Sequence, residues 1–282
     1  MFINRKIAFI GSGVMGEAMI AGLLRQGSAK PDSLIAADPR PERTVELQAR
    51  YGLTATSDNA LAARDAEVVV LSVKPQSLRK AMASMKGVLQ HQALVFSIVA
   101  GSPISKIIDG LAHPAVVRCM PNTPAQIGEG ITVWTASAAV TEIQRQMALS
   151  VLQAMGEEVH VEEESFLDMA TALSGTGPAY VFLFMEALVD AGVHLGFHRS
   201  VAEKLVAQTV LGSANFYISR GGISHLASLR NQVTSPAGTT AAALYYLEKA
   251  GFRTAISRAI WAAYERSHEL GKSARAHAPE ND

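Results

Sequence analysis

The 282-residue chain has a single cysteine, Cys119, so it closes no internal disulfide and offers no cysteine cluster for a metal or a redox pair. A reducing compartment fits, and the cytoplasm is the expected location. An excess of charge of one sign is absent too: 25 Lys and Arg balance 25 Asp and Glu, a formal net charge of +0. Gripping a phosphate backbone needs a cationic excess, so nucleic acid is not expected as a partner. The apolar run within MFINRKIAFIGSG is too short for a signal peptide. No run approaches the roughly 20 apolar residues of a membrane helix. The most apolar helical candidate, AYVFLFMEALVDAGV, is interrupted by Glu186 and Asp190. It is expected to be buried in a soluble protein or in a subunit interface, not in a membrane. The chain also lacks a nucleophile elbow and a Cys/His pairing. His194 and His198 are four apart, but Gly196 lies between them and no nearby carboxylate completes a site, so no metal is expected.

What the chain does have is apolar residues, 49% of the total, arranged in two textures. In the first half, KIAFIG, LIAAD, AEVVVLSV, ALVFSIVA and AVVRCM are continuous and β-branched. Such runs suit strands buried on both faces of a parallel sheet. Between them lie helical segments such as MGEAMIAGLLRQG and PERTVELQARYG, each closed by a glycine. The expectation is an α/β fold with an N-terminal doubly wound Rossmann sheet. GITVWT, the helical run TEIQRQMALSVLQAMG and EEVHVEEE follow. From about residue 163 strand-like runs vanish, and an all-helical second domain is expected. Its helices hold more Ala, Leu, Val and Phe than a small bundle needs for its own core, which points to pairing with a second subunit. The boundaries are set at 1–162, 163–271 and a disordered tail, 272–282.

Three glycines, Gly11, Gly13 and Gly16, have the GxGxxG spacing straight after the first strand and at the start of a helix. Gly11 permits the tight turn, Gly13 lets backbone N–H groups reach a pyrophosphate, and Gly16 lets helix and strand pack closely. At the end of the second strand, LIAADPRPER, Asp38 stands where a carboxylate binds the adenosine ribose of NAD, whereas Arg40 and Arg43 suit the 2′-phosphate of NADP. Both readings stand at this point. VVVLSVKPQS puts Lys74 and Pro75 at a strand's carboxyl end, where doubly wound sheets bind ligands, and FSIVAGSP repeats that form with Ala100 and Gly101. RCMPNTPAQIGEG is a rigid loop in which Asn122 and Thr123 offer polar contacts or a plain turn. In the helical half, LSGTGPAYVF reads as a helix start with Pro178 as a first helical residue.

The segment VTSPAGTT, Val233 to Thr240, has no charge, yet it carries Ser, Pro, Gly and three Thr. Ser235 can cap, Gly238 removes a side chain, and Thr239 and Thr240 place hydroxyls beside unpaired N–H groups. An anion-sized pocket without a fixed charge results, suited to the carboxylate of a small substrate.

From GSGVMG through SVKPQ, VAG, VRCMPNTP and LSGTGPAYVF to VTSPAGTT, the chain resembles pyrroline-5-carboxylate reductase. The resemblance implies reduction of the C=N bond of a small cyclic imine, 1-pyrroline-5-carboxylate, to L-proline by NADPH or NADH. It also implies dimerisation through the C-terminal helices, in some members extended to a decamer of five dimers. It places cofactor contacts at Gly11, Ser12, Gly13, Val14, Met15, Gly16, Asp38, Asn59, Ser72, Val73, Lys74, Pro75, Ile98, Val99 and Ala100, to which the spacing adds Arg40. Substrate contacts fall at Glu164, Val233, Ser235, Gly238, Thr239 and Thr240, with Thr240 as the catalytic residue. Two positions depart from the family pattern. PAGTT replaces the frequent PGGTT, a change expected to leave the loop intact. Asp38 occupies a place where NADPH-preferring members have a neutral polar residue. A β-hydroxyacid dehydrogenase shares the two-domain plan but needs a helix lysine that YVFLFMEALVD lacks. A non-catalytic dinucleotide-binding regulator has no use for VTSPAGTT.

Overall fold

The computed structural model describes residues 5–221 and 225–276. The chain divides into two compact units, one formed by Met1–Thr176 with Ala263–Asp282, the other by Gly177–Ala262. The first unit is built on strands β1 (Ile7–Ile10), β2 (Leu34–Ala37), β3 (Thr54–Thr56), β4 (Val68–Leu71), β5 (Leu94–Ser97), β6 (Val116–Met120), β7 (Gly130–Ala136) and β8 (Gly156–His160). They form one sheet in the order β3-β2-β1-β4-β5-β6-β7-β8. The connecting helices are α1 (Val14–Arg25), α2 (Pro41–Tyr51), α3 (Asn59–Ala63), α4 (Pro75–Met85), α5 (Ile104–Leu111) and α6 (Glu142–Gln153).

Every residue of β1, β4 and β5 is buried, as continuous apolar runs require when both faces of a sheet are covered. Alternate residues serve opposite layers. Ile7, Phe9, Val68 and Val70 join one apolar cluster with Trp134; Ala8, Ile10, Val69 and Leu71 join a second with Leu78 and Met82. From β1 the chain winds outward to β3, then returns to lay β4 against the other side of β1. The strand order reverses there, and the crevice outside the carboxyl ends of β1 and β4 is where such sheets bind ligands.

Two features depart from an all-parallel sheet read off apolar runs. β3 is a partly exposed strand of Thr, Ala and Thr, so it carries no apolar signal. β7 runs antiparallel to β6, with Met120 opposite Val133. Only residues 121–129 join the two, fewer than the dozen or so a parallel crossover needs. α6 then restores a parallel crossover to β8, starting at a capping box in which Thr141 and Gln144 satisfy each other's N–H groups.

The helical half contains α7 (Phe166–Ala170), α8 (Gly177–His194), α9 (Arg199–Ser219), α10 (Leu226–Gln232), α11 (Thr239–Lys249) and α12 (Phe252–Ala276). α8 starts at Gly177, the end of LSGTG, with Pro178 as its second residue, close to the expected helix start; a π-helical turn, Thr171–Gly175, leads into it from α7, so that helix extends from Phe166 to His194. The Thr176 N–H and hydroxyl both donate to the Thr171 carbonyl, at 2.8 Å each. Widening the helix just ahead of Pro178 makes room for a ring that has no N–H to give and would crowd a regular turn. This 29-residue helix is long and apolar enough to cross a membrane by length and composition, contrary to the expectation from the interrupted run. Nor is it buried within the chain: Phe182 is 63% exposed and Leu183 67%. α12 extends to Ala276, into the stretch 272–282 expected as a disordered tail; residues 277–282 lie outside the described residues.

Candidate functional site

β1 ends at Ile10, paired with Leu71 at the end of β4, so the glycine turn starts beside Ser72 and Val73. Gly11 is left-handed, φ 87°, and a Cβ there would lie 2.6 Å from Val73 Cγ1. A Cβ on Gly16 would lie 2.6 Å from the Gly11 carbonyl oxygen, which closes helix α1 onto the turn. Gly13 differs from both: nothing lies within 4 Å of its Cβ position, and as N-cap of α1 it provides no side-chain cap. An open, uncapped helix start with no Cβ in the way suits an approaching pyrophosphate. Val14 is 62% exposed there, with Met15 partly buried behind it. The turn is braced from β4, where the Ser72 hydroxyl donates to the Gly11 carbonyl at 2.6 Å.

Ser12 is fully buried; its N–H donates to Asp38 Oδ2 at 3.3 Å, so this amide faces the second strand's end. Asp38 is buried at the carboxyl end of β2, and the exposed Arg40 binds both its oxygens, Nε to Oδ1 at 2.9 Å and Nη2 to Oδ2 at 3.1 Å. Burial pushes the Asp38 carboxyl up, but the Arg40 hydrogen bonds and charge, with the Ser12 N–H, outweigh it and hold Asp38 below the usual carboxylate range. Arg43 is occupied elsewhere. Its Nε donates to the Ser12 carbonyl at 2.9 Å, and its guanidinium binds Glu46 and Glu17. Glu17 also accepts from Arg50 at 2.6 Å and Tyr51 at 2.8 Å. Arg43 is thus a prop beneath the glycine turn, and of the two arginines weighed for a 2′-phosphate only Arg40 is exposed.

Asn59 opens α3, its amide donating to Ser84 at 3.2 Å. Lys74 precedes Pro75, the first residue of α4, and both are exposed. Ile98 extends β5 by donating its N–H to the Leu71 carbonyl at 3.1 Å; Val99 is 2% exposed and Ala100 is half-buried. The Asn122 side chain accepts the Ile131 N–H at 3.0 Å. Glu164 belongs to a charge cluster with Arg118 of β6: Nη1 of Arg118 donates to Glu164 Oε1 at 2.7 Å, and Nη2 lies 3.5 Å from Asp168 Oδ1. Arg118 is absent from the residues singled out in the sequence, although a charge inside the apolar run AVVRCM demands a buried partner.

In the helical unit, α11 begins at Thr239 with Gly238 as N-cap, and no side chain caps it. Ser235 is therefore not the expected cap. Its hydroxyl sits against Gly238, where any Cβ would overlap it. Thr239 and Thr240 are the first two helical residues, Thr239 exposed and Thr240 half-buried, and Val233 is 68% exposed. Ala237 is left-handed, φ 57°. PAGTT thus keeps the turn geometry that suits glycine, at a cost of about 1–2 kcal/mol for the alanine methyl. Among the described residues no group of three or more His, Cys, Asp or Glu is placed to hold a metal ion.

Residues 164–270 match the family model for pyrroline-5-carboxylate reductase dimerisation, and residues 6–101 match the coenzyme F420-dependent NADP oxidoreductase model. The chain is 43% identical over 267 residues to pyrroline-5-carboxylate reductase of Synechocystis sp., covering 95% of this chain and 98% of that one. It is 40% identical over 270 residues to pyrroline-5-carboxylate reductase of Methanosarcina acetivorans, covering 95% and 99%. The chain belongs to the pyrroline-5-carboxylate reductase family. The crystal structure of the Plasmodium falciparum pyrroline carboxylate reductase with NADP bound superposes with a TM-score of 0.86 at 32% identity, covering 95% of this chain and 98% of that one. As a pyrroline-5-carboxylate reductase family member, the chain carries its glycine turn inside the NADP oxidoreductase match, and VTSPAGTT inside the dimerisation match.

Proposed function

We propose that the chain reduces the C=N bond of 1-pyrroline-5-carboxylate to give L-proline, the last step of proline biosynthesis, with NADPH as reductant and NADH as the alternative. The observation that carries this reading is the first turn of α11, whose N-cap Gly238 has no side chain to cap it, so that Thr239 and Thr240 open a helix N-terminus without a fixed charge. When bound, NADPH supplies the hydride that the imine carbon takes up. Gly11 to Gly16 hold the pyrophosphate, Asp38, Arg40 and Asn59 the adenosine end, and Ser72 to Pro75 with Ile98 to Ala100 the remainder.

The chain's own task is orientation more than strong acid or base catalysis. The N–H groups of Thr239 and Thr240 hold the substrate carboxylate, with Ser235, Val233 and Gly238 shaping the turn, where the Gly238 N–H donates to the Ser235 carbonyl at 3.1 Å. An uncharged cradle suits the protonated imine, because a lysine or arginine there would repel the iminium as it forms. The Thr240 hydroxyl hydrogen-bonds the ring nitrogen and points it. A threonine hydroxyl is a poor acid, so solvent or a preprotonated iminium provides the proton. The exposed apolar face of α8 pairs with a second copy in a homodimer located in the cytoplasm, with a decamer of five dimers as the larger assembly.

Steady-state oxidation of NADPH and NADH is the test, with 1-pyrroline-5-carboxylate compared against 3-hydroxy acids. Turnover with the imine alone supports the reading. Turnover with a 3-hydroxy acid alone, or dinucleotide binding without any turnover, sinks it.

A further inference from the structure

We infer that Glu164 is a positioning residue for the dinucleotide, fixing the start of α5 and with it the loop Ile98–Pro103 that leaves β5. This rests on the reading above that the loop faces the reducing end of the dinucleotide. Helix α5 begins without help from its own sequence: Pro103 is its N-cap, no side chain of the cap residue bonds back, and its first turn holds no acidic residue. The missing acceptor comes from far along the chain. Glu164 Oε1 takes the Ile104 N–H at 2.8 Å, placing a negative charge on the positive end of the helix.

That same oxygen accepts from Arg118 Nη1 at 2.7 Å. The Arg118 side chain is 4% exposed, and its Nε is buried with no hydrogen-bond partner. Glu164 and Asp168 are the two carboxylates beside this buried cation, and Asp168 Oδ1 in turn accepts from Ser267 at 3.2 Å. Arg118 pairs in register with Ser97, the last residue of β5, so the junction stands at the strand end from which the loop departs. The loop therefore has two anchors. Ile98 N–H is tied to Leu71 at one end, and Ile104 N–H is tied to Glu164 at the other. Between them the chain turns through Gly101, φ 64°, outside the carboxyl ends of the central strands. Releasing the second anchor lets that turn drift, and hydride transfer is sensitive to misplacement by about 1 Å.

The experiment compares the full-length wild type with Glu164→Ala and Glu164→Gln. NADPH dissociation constants are measured by fluorescence titration without imine, followed by kcat and KM for the imine, with thermal melts as a check on folding. Glu164→Ala is expected to weaken NADPH binding about tenfold in the absence of imine and to lower kcat, the size expected for losing a charge-assisted hydrogen bond. Glu164→Gln, which keeps an acceptor for Ile104, is expected to fall between it and the wild type. If the alanine variant does not fold, the glutamine variant decides. An unchanged NADPH constant in the folded variants overturns the inference, whether imine KM rises, making Glu164 a substrate contact, or only the melting temperature falls. Because the titration needs no imine, wild-type protein that binds NADPH but fails to turn the imine over would refute the proposed reaction separately.

Discussion

Thr240 is the second residue of α11, and its hydroxyl is the one hydrogen-bonding group the proposed mechanism aims at the reacting nitrogen. Thr240→Ala is expected to lower kcat/KM for the imine by about 100-fold, the size that misplacing a reacting group carries, without changing NADPH binding. Steady-state kinetics beside a binding titration would check it, and unchanged kcat and KM would remove Thr240 from the chemistry. Arg40 is paired with the buried Asp38 but exposed to an approaching 2′-phosphate, while Arg43 is partly buried and held by Ser12, Glu17 and Glu46. Arg40→Ala is expected to raise KM for NADPH about tenfold and leave NADH nearly unchanged, as loss of a charge-assisted phosphate contact would. Equal losses with both dinucleotides would contradict that role. The alternatives left open by Asp38, Arg40 and Arg43 in the sequence narrow only because the structure shows which guanidinium is exposed.

At the scale of elements, the Glu17 network joins α1 to α2 through Arg43, Arg50 and Tyr51. Burial pushes the Glu17 carboxyl up, but the hydrogen bonds and charges of its partners prevail and hold it below the usual range. A depressed carboxyl contributes stability that is present above its unfolded pKa and lost as pH falls through the folded one. Denaturant melts at falling acid pH should therefore show a loss that Glu17→Gln flattens; parallel profiles for wild type and variant would exclude the network as its source. β7 and β8 meet at glycines: Gly156 has φ 129°, and a Cβ there would overlap backbone atoms of Gly130. Gly156→Ala is expected to cost about 3 kcal/mol or more, because both the backbone conformation and the strand contact reject the methyl. Equilibrium unfolding measures it, and a loss below about 1 kcal/mol would show that the strands separate easily. Of these elements, the apolar strands were legible as runs, since burial on both faces leaves an unbroken pattern. The edge strand Thr54–Thr56 was not, because it is partly exposed and its residues are polar or small. Nor was the π turn: LSGTGPAYVF reads as a helix start, and only the Thr176-to-Thr171 bonds show the widened turn that leads into it.

For the whole molecule, the helix Phe166–His194 turns an apolar face outward in a single chain, with Phe182, Leu183 and Phe184 exposed. A lone soluble chain rarely leaves so much aromatic and aliphatic surface in water, and the dimerisation match spans this helix. Phe182→Glu is expected to shift the sedimenting species from dimer to monomer by placing a charge in the desolvated interface. An unchanged mass in sedimentation equilibrium would put the subunit contact elsewhere. The interrupted run AYVFLFMEALVDAGV suggested either burial or an interface, and only the exposure of the folded chain separates the two.

The amino-acid sequence by itself determined the features that repeat along the chain or depend on one residue's covalent freedom. These are the buried strands, the glycine turn after β1, the change to helices after residue 163, and the uncharged VTSPAGTT segment. Tertiary structure alone decided which distant groups share a charge. It set Arg43 under the glycine turn, made Glu164 the anchor of a helix that begins 60 residues earlier, and put Ala237 in a left-handed turn. The physical reason is range. Apolar patterning and backbone sterics act over neighbouring residues, whereas a buried cation takes whichever carboxylate the fold brings within about 3 Å.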